Sequence, residues 1–183
     1  NTYYFRTGGS MHTGWLELEE DTYYLNEDGI LLTGPQIIED AEYYFVEDGK
    51  RFTGWLFWED SRRYYRLDGT LATHWEEIDG KRYYLEQTGA MVSGWLNLHG
   101  RTHYFGENGA MLTGWNMLEG NTYYFEEEHG SLVTGRTQLD GRHYYFLDDG
   151  VLYTGWEETE DGRRYYGEDG VQHFGWAELD GKW

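Results

Sequence analysis

Paired aromatic residues return every 19 to 21 residues along the whole chain, and this period limits what the chain can fold into. The pairs are Tyr3-Tyr4, Tyr23-Tyr24, Tyr43-Tyr44, Tyr64-Tyr65, Tyr83-Tyr84, His103-Tyr104, Tyr123-Tyr124, Tyr144-Tyr145 and Tyr165-Tyr166. A glycine follows each pair before the next copy begins, as at Gly29, Gly89 and Gly109. A Trp slot, mostly Thr-Gly-Trp, falls at Trp15, Trp55, Trp75, Trp95, Trp115, Trp156 and Trp176; Pro35 and Arg136 stand in that slot in two other copies. Met91 to Trp115, MVSGWLNLHGRTHYFGENGAMLTGW, shows the unit most plainly. No linker or composition shift interrupts the series, so residues 1–183 read as one repeat array. The chain opens inside a repeat, at Asn1-Thr2-Tyr3-Tyr4-Phe5, which reads as a piece excised from a larger protein.

Each unit predicts a β-hairpin. The runs are short, rich in Tyr, Phe and Trp, and separated by Asp-Gly, Asn-Gly or Gly. Trp95-Leu96-Asn97-Leu98 alternates with period two. The position three after the Trp slot is apolar in all but one copy, Thr159 being the exception. In the second strand the first aromatic and the residue two later, such as Tyr123 and Phe125, share the core face, while Tyr124 points the other way. The extra residue in Glu128-His129-Gly130 belongs in a turn. One hairpin cannot stand alone in water, so stacking of neighbours must stabilise the array, as in a solenoid. About nine hairpins are expected, all-β, in an elongated array. Grooves between successive hairpins would be lined by the Trp slots and the second tyrosines.

Charge narrows the partners. Acidic residues outnumber basic ones 34 to 14, a net charge of −20, which opposes nucleic acid and anionic lipid and suits a neutral or cationic ligand. Solubility of an exposed surface protein would explain the same charge. With no Cys there is neither disulfide nor thiol chemistry. No apolar run is long enough to cross a membrane as a helix.

Other chemistry finds no foothold. The seven histidines (His12, His74, His99, His103, His129, His143 and His173) show no metal-ligand spacing and read as surface or turn residues. Acidic turns such as Asn26-Glu27-Asp28-Gly29 lack the spaced oxygens of a calcium loop. Carboxylate pairs such as Glu76-Glu77 and Glu157-Glu158 are not marked as lying in a closed pocket. No nucleophile motif or phosphate loop occurs, and neither metal nor cofactor is expected.

The pattern Thr-Gly-Trp…Gly-x-x-Tyr-Tyr-Phe…Gly-x-Met-x-Thr-Gly-Trp resembles the cell-wall-binding repeat superfamily of Gram-positive surface proteins. That group includes choline-binding, glucan-binding and clostridial toxin receptor-binding repeats. The resemblance covers the whole chain and implies a β-hairpin solenoid, a left-handed superhelix with about three hairpins per turn. It implies a secreted or surface, cell-wall-associated, non-catalytic binding module. In choline-binding repeats an aromatic cage holds the ammonium group: the Trp of Gly-Trp, a second Trp just before Tyr-Tyr, and a Tyr of the next hairpin, with a Met nearby. On that basis Trp75, Tyr84, Met91, Trp95, Tyr104, Met111, Trp115 and Tyr124 are the expected ligand-binding residues, in the longest unbroken Trp series. The second Trp is not kept: its slot reads Thr2, Thr22, Glu42, Arg63, Arg82, Thr102, Thr122, His143 and Arg164, with only Trp183 matching. Arg or His there opposes a cation and looks more like glucan-binding or toxin repeats, in which a sugar stacks on Trp or Tyr. The leading expectation is therefore attachment to a cell-wall polymer or extracellular polysaccharide. A choline-type teichoic-acid binder and a structural stalk or protein-binding adhesin repeat are the alternatives. Grooves beside Pro35 and Arg136 should be poor in ligand.

Overall fold

The computed structural model describes residues 1–175, so the repeat positions Trp176, Leu179 and Trp183 lie outside the described residues. The chain divides into two compact units, Asn1–Val92 and Ser93–Trp183. Each contains four antiparallel hairpins among the described residues, and each hairpin is a separate two-stranded sheet. The first unit holds β1 (Gly14–Leu18) with β2 (Asp21–Leu25), β3 (Gly34–Ile38) with β4 (Ala41–Phe45), β5 (Gly54–Trp58) with β6 (Ser61–Tyr65), and β7 (His74–Ile78) with β8 (Lys81–Leu85). The second holds β9 (Gly94–Leu98) with β10 (Arg101–Phe105), β11 (Gly114–Leu118) with β12 (Asn121–Phe125), β13 (Gly135–Leu139) with β14 (Arg142–Phe146), and β15 (Gly155–Thr159) with β16 (Gly162–Tyr166). The described residues contain no helix. Among the described residues eight hairpins stand where about nine were expected: Tyr3-Tyr4-Phe5 forms no hairpin of its own and joins through the Phe5–Met11 bridge and through backbone bonds from His12 to Tyr4 and from Leu31 to Thr2.

Two-residue turns close the hairpins. At Asp79-Gly80 both residues have positive φ, 51° and 71°, a backbone whose twist matches that of the flanking strands. The inserted residue before Gly130 is absorbed in the next turn: Gly130 N–H bonds Glu126, four residues back, where Gly109 bonds Gly106, three back.

The two faces of each hairpin differ. The position closing the second strand is the core: Leu25, Phe45, Leu85, Phe105, Phe125 and Phe146 are at most 1% exposed. On the opposite face the Trp slot and the second aromatic are cross-strand partners, as in Trp15–Tyr24, Trp75–Tyr84, Trp95–Tyr104 and Trp115–Tyr124. Neighbouring hairpins are tied by their connectors. The Arg51 amide donates to the Thr22 carbonyl at 2.7 Å, and the Leu132 amide donates to Thr102 at 2.7 Å. Gly150 (φ 84°) seats the Leu132 side chain so closely that a β-carbon there would lie 2.6 Å from Cδ1.

The register corrects two assignments. Trp55 pairs with Tyr64 and Trp156 with Tyr165, so Tyr64 and Tyr165 are the second aromatics of their hairpins. Tyr65 and Tyr166 then fill the core position, each 1% exposed. Arg63 and Arg164 occupy the first-aromatic position, and the slot before it belongs to Arg62 and Arg163, not to Arg63 and Arg164. The connector bonds agree, since Met91 N–H reaches the carbonyl of Arg62 as Arg51 reaches that of Thr22. Two histidines also depart from expectation. His12 and His103 are buried, and each places a ring nitrogen on a backbone carbonyl: His12 Nε2 lies 2.9 Å from that of Trp15 and His103 Nδ1 lies 3.0 Å from that of Gly130.

Candidate functional site

Trp15, Trp55, Trp95 and Trp115 each project from the first strand of their hairpin beside the second aromatic and reach the next hairpin as well. Trp95 meets Tyr104 at 4.9 Å between ring centroids with planes 79° apart, and Tyr123 of the next hairpin at 5.3 Å and 65°. Phe125 lies behind it at 5.9 Å. Trp115 repeats the arrangement with Tyr124 (5.1 Å, 64°), Tyr144 (5.0 Å, 63°) and Phe146 (5.8 Å). Trp15 repeats it with Tyr24 (4.9 Å, 79°), Tyr43 (4.9 Å, 69°) and Phe45 (6.1 Å). Rings held this steeply form a corner, with edge-to-face contacts fixing the walls. Trp95 and Trp115 keep 46% and 43% of their surface exposed, so the corners open to solvent.

The expected residues are distributed as follows. Trp75 with Tyr84, Trp95 with Tyr104 and Trp115 with Tyr124 are brought together as cross-strand neighbours. Met111 packs against Gly130 in the stack between repeats, its Sδ 2.5 Å from where a β-carbon would sit on that glycine. Met91 bridges Leu85 in its own connector. Tyr43, Tyr123 and Tyr144 form the third wall. Sequence reasoning sent the first aromatic to the core, because alternation places it opposite the second one within its own hairpin. Its contact with the preceding hairpin's Trp arises only from stacking. Trp15 makes the same corner, although the broken Trp series around Pro35 drew attention elsewhere.

Carboxylates surround one corner. Partial burial, together with Glu127 and Asp140, raises the Tyr124 phenol above its ordinary range. A Glu127 oxygen stands 2.8 Å from where a β-carbon would sit on Gly114, the neighbour of Trp115. Both carboxylates make the potential at that corner more negative.

The slot preceding the aromatic run sorts the remaining tryptophans. Arg62 lies over Trp55 with Cζ 4.6 Å from the ring centroid, Arg82 over Trp75 at 5.0 Å, and Arg163 over Trp156 at 4.6 Å. Trp15, Trp95 and Trp115 have Thr22, Thr102 and Thr122 in that slot. Among the described residues no guanidinium lies over those three rings.

The two copies without Trp are rebuilt as polar clusters. After Pro35, the next hairpin supplies Arg63 and Tyr65. Arg63 Nη1 lies 3.3 Å from Glu42 Oε1, and the Tyr65 hydroxyl donates to the same oxygen at 2.9 Å. Arg136 itself pairs with Glu157, which accepts from the Tyr166 hydroxyl at 3.1 Å and lies 3.8 Å from Arg164. Neither place has an indole in the Trp slot, although Trp58 of the next hairpin meets Tyr44 beside Pro35 at 5.6 Å and 71°.

The comparisons with known proteins agree with this architecture. The choline-binding repeat family matches residues 32–74 and 92–136, and a cell wall binding repeat family matches 13–31 and 73–91. CbpJ from Streptococcus pneumoniae is similar in structure, with 31% identity and a TM-score of 0.83 over 93% of this chain and 61% of that one. Choline binding protein F from the same organism, solved in the presence of a peptidoglycan analogue, gives 30% identity and a TM-score of 0.83 over 94% and 61%. The modular autolysin LytC, at 24% identity and a TM-score of 0.61, shares the fold over 94% of this chain and 42% of its own. The chain thus spans about three fifths of the length of the first two solved relatives. No curated protein sequence matches it.

Proposed function

Because the chain belongs to the choline-binding, cell-wall-binding repeat family, we propose that it is a non-catalytic attachment module holding a surface protein on choline-bearing teichoic acid. The observation that carries this reading is the thrice-repeated corner of Trp and two Tyr rings at Trp15, Trp95 and Trp115. Walls set at 63° to 79° suit a compact trimethylammonium group, which touches several ring faces at once, better than a sugar, which needs a flat platform. Each ring face attracts the cation by about 0.5–2 kcal/mol. The net charge of −20 adds long-range attraction. Thr stands where a second Trp would close the cage, so each corner binds weakly. Corners engaging one polymer together multiply the affinity by about 10²–10⁴ where the geometry allows.

The polar neighbours of the corners favour a second reading. Asn97 Nδ2 donates to Thr102 Oγ1 at 3.2 Å on the face of Trp95, and such groups could instead bond sugar hydroxyls. Titration with choline chloride and, separately, with a soluble α-glucan, following tryptophan fluorescence, tests both. A saturable change with choline alone is expected. A change with the glucan alone replaces choline by polysaccharide, and flat responses to both favour the stalk.

A further inference from the structure

We propose that Arg62, Arg82 and Arg163 are built-in competitors that close the Trp55, Trp75 and Trp156 positions to ammonium ligands, so that Thr or Arg at one slot sets how many ligands the chain holds. The inference rests on the choline reading above and concerns which repeats take part.

Exposure does not separate the two classes. Trp156 is 48% exposed and Trp95 is 46% exposed, so both are reachable from solvent. They differ in what lies on the ring. A guanidinium sits over Trp55, Trp75 and Trp156 at 4.6 to 5.0 Å, within the range for attraction between a cation and a ring face. Arginine keeps its charge at every accessible pH. It is also tethered one strand away, at an effective concentration that a free ligand does not reach. An ammonium group approaching such a position must displace a like charge or share the ring with it. Glu158 steadies one of these arginines, its Oε1 2.8 Å from Arg163 Nε.

The slot is the same in every case. Arg62 pairs with Phe57, Arg82 with Glu77 and Arg163 with Glu158, as Thr22 pairs with Glu17, Thr102 with Asn97 and Thr122 with Met117. Threonine carries no charge and is too short to cover the indole. The arginines of the polar clusters, Arg63 and Arg164, pair with Glu42 and Glu157; Arg63 also lies over Trp58, which is outside the Trp slot, at 5.7 Å. Closure of the Trp-slot rings therefore follows the slot that holds Arg62, Arg82 and Arg163.

The test counts bound choline by equilibrium dialysis on the full chain. Wild type is expected to bind about three equivalents. The Arg62→Thr/Arg82→Thr/Arg163→Thr variant is expected to bind more, with an unchanged near-ultraviolet circular dichroism spectrum. Arg82→Lys, which keeps the charge, should leave the wild-type count unchanged. Thr102→Arg is expected to remove about one equivalent while leaving Trp95, Tyr104 and Tyr123 in place, and it decides the matter if the triple variant does not fold. Wild-type binding with no gain in a folded triple variant, or no loss in Thr102→Arg, overturns the closure and leaves the attachment reading intact. Absence of choline binding in wild type and all variants overturns both. Binding by the triple variant alone would mean that the arginines close the array more completely than proposed.

Discussion

The Tyr65 hydroxyl donates to Glu42 at 2.9 Å, reaching across a hairpin boundary to a residue 23 positions earlier. Glu42 also takes Nη1 of the Arg63 guanidinium, so one carboxylate serves both polar groups, while Arg63 Nε is buried without a hydrogen-bond partner. Where Pro35 removes the indole, the next hairpin loses its first tyrosine too and receives a charge that must be paired.

Glu42→Gln should therefore destabilise the protein by about 1–3 kcal/mol, the range for leaving a buried donor and a partly buried cation poorly paired. Chemical denaturation measures it. Combining the change with Tyr65→Phe should recover part of the loss, since the orphaned hydroxyl is then gone. An additive double variant would show that the two groups do not act together.

Tyr65 also predicts a response to alkali. Burial first, then its bond to Glu42, raises its phenol well above the ordinary value of 10.0. An acid whose folded pKa is raised stays protonated while its unfolded counterpart ionises. Stability is thus unaffected below about pH 10 and falls as pH rises beyond it. Absorbance titration at 295 nm should show a late-ionising tyrosine that Tyr65→Phe removes. A titration unaltered by that change contradicts the assignment.

Trp95→Ala tests the corner. Trp95 is half exposed, so its loss should cost about 1–2 kcal/mol of stability, below the 3–5 kcal/mol of a fully buried large aromatic. Bound choline should fall by about a third. Melting temperature and binding measured on one preparation separate the possibilities: a large stability loss with full choline binding would make Trp95 a packing residue.

His74 stands where seven other hairpins begin their first strand with glycine, and it adopts φ 64°. Left-handed backbone costs a side-chain-bearing residue about 1–2 kcal/mol. His74→Gly should raise stability by about 0.5–1 kcal/mol after the added chain entropy of glycine is subtracted. A lower melting temperature would show that the His74 contact with Tyr84 outweighs the backbone strain.

The hairpins and the pairing of each Trp with the second tyrosine were legible in the sequence, because period-two alternation fixes which residues of one hairpin share a face. Two registers were misread, since Tyr64-Tyr65 and Tyr165-Tyr166 look like the other aromatic pairs. The signal was present: the second Tyr lies four residues before Gly69 and Gly170, but five before Gly29, Gly49 and Gly89. Counting forward from Trp55 also reaches Tyr64, nine residues on, as Trp15 reaches Tyr24. The third wall of each corner was harder to see. Tyr123 belongs to the core face of its own hairpin and touches Trp95 of its neighbour, and only stacking reveals the second contact. The arginine over Trp55, Trp75 and Trp156 was visible as composition but not as position, because alternation says which face a side chain leaves from and not how far a long one bends back.

The connector amides carry a mechanical consequence. Bonds such as Leu152 to Thr122 and Gln172 to His143 are short latches that reach back past the hairpin just completed to the second strand of the one before it. Tension on the chain loads these latches one after another within a unit. Under tension such an array is expected to open hairpin by hairpin, one latch at a time.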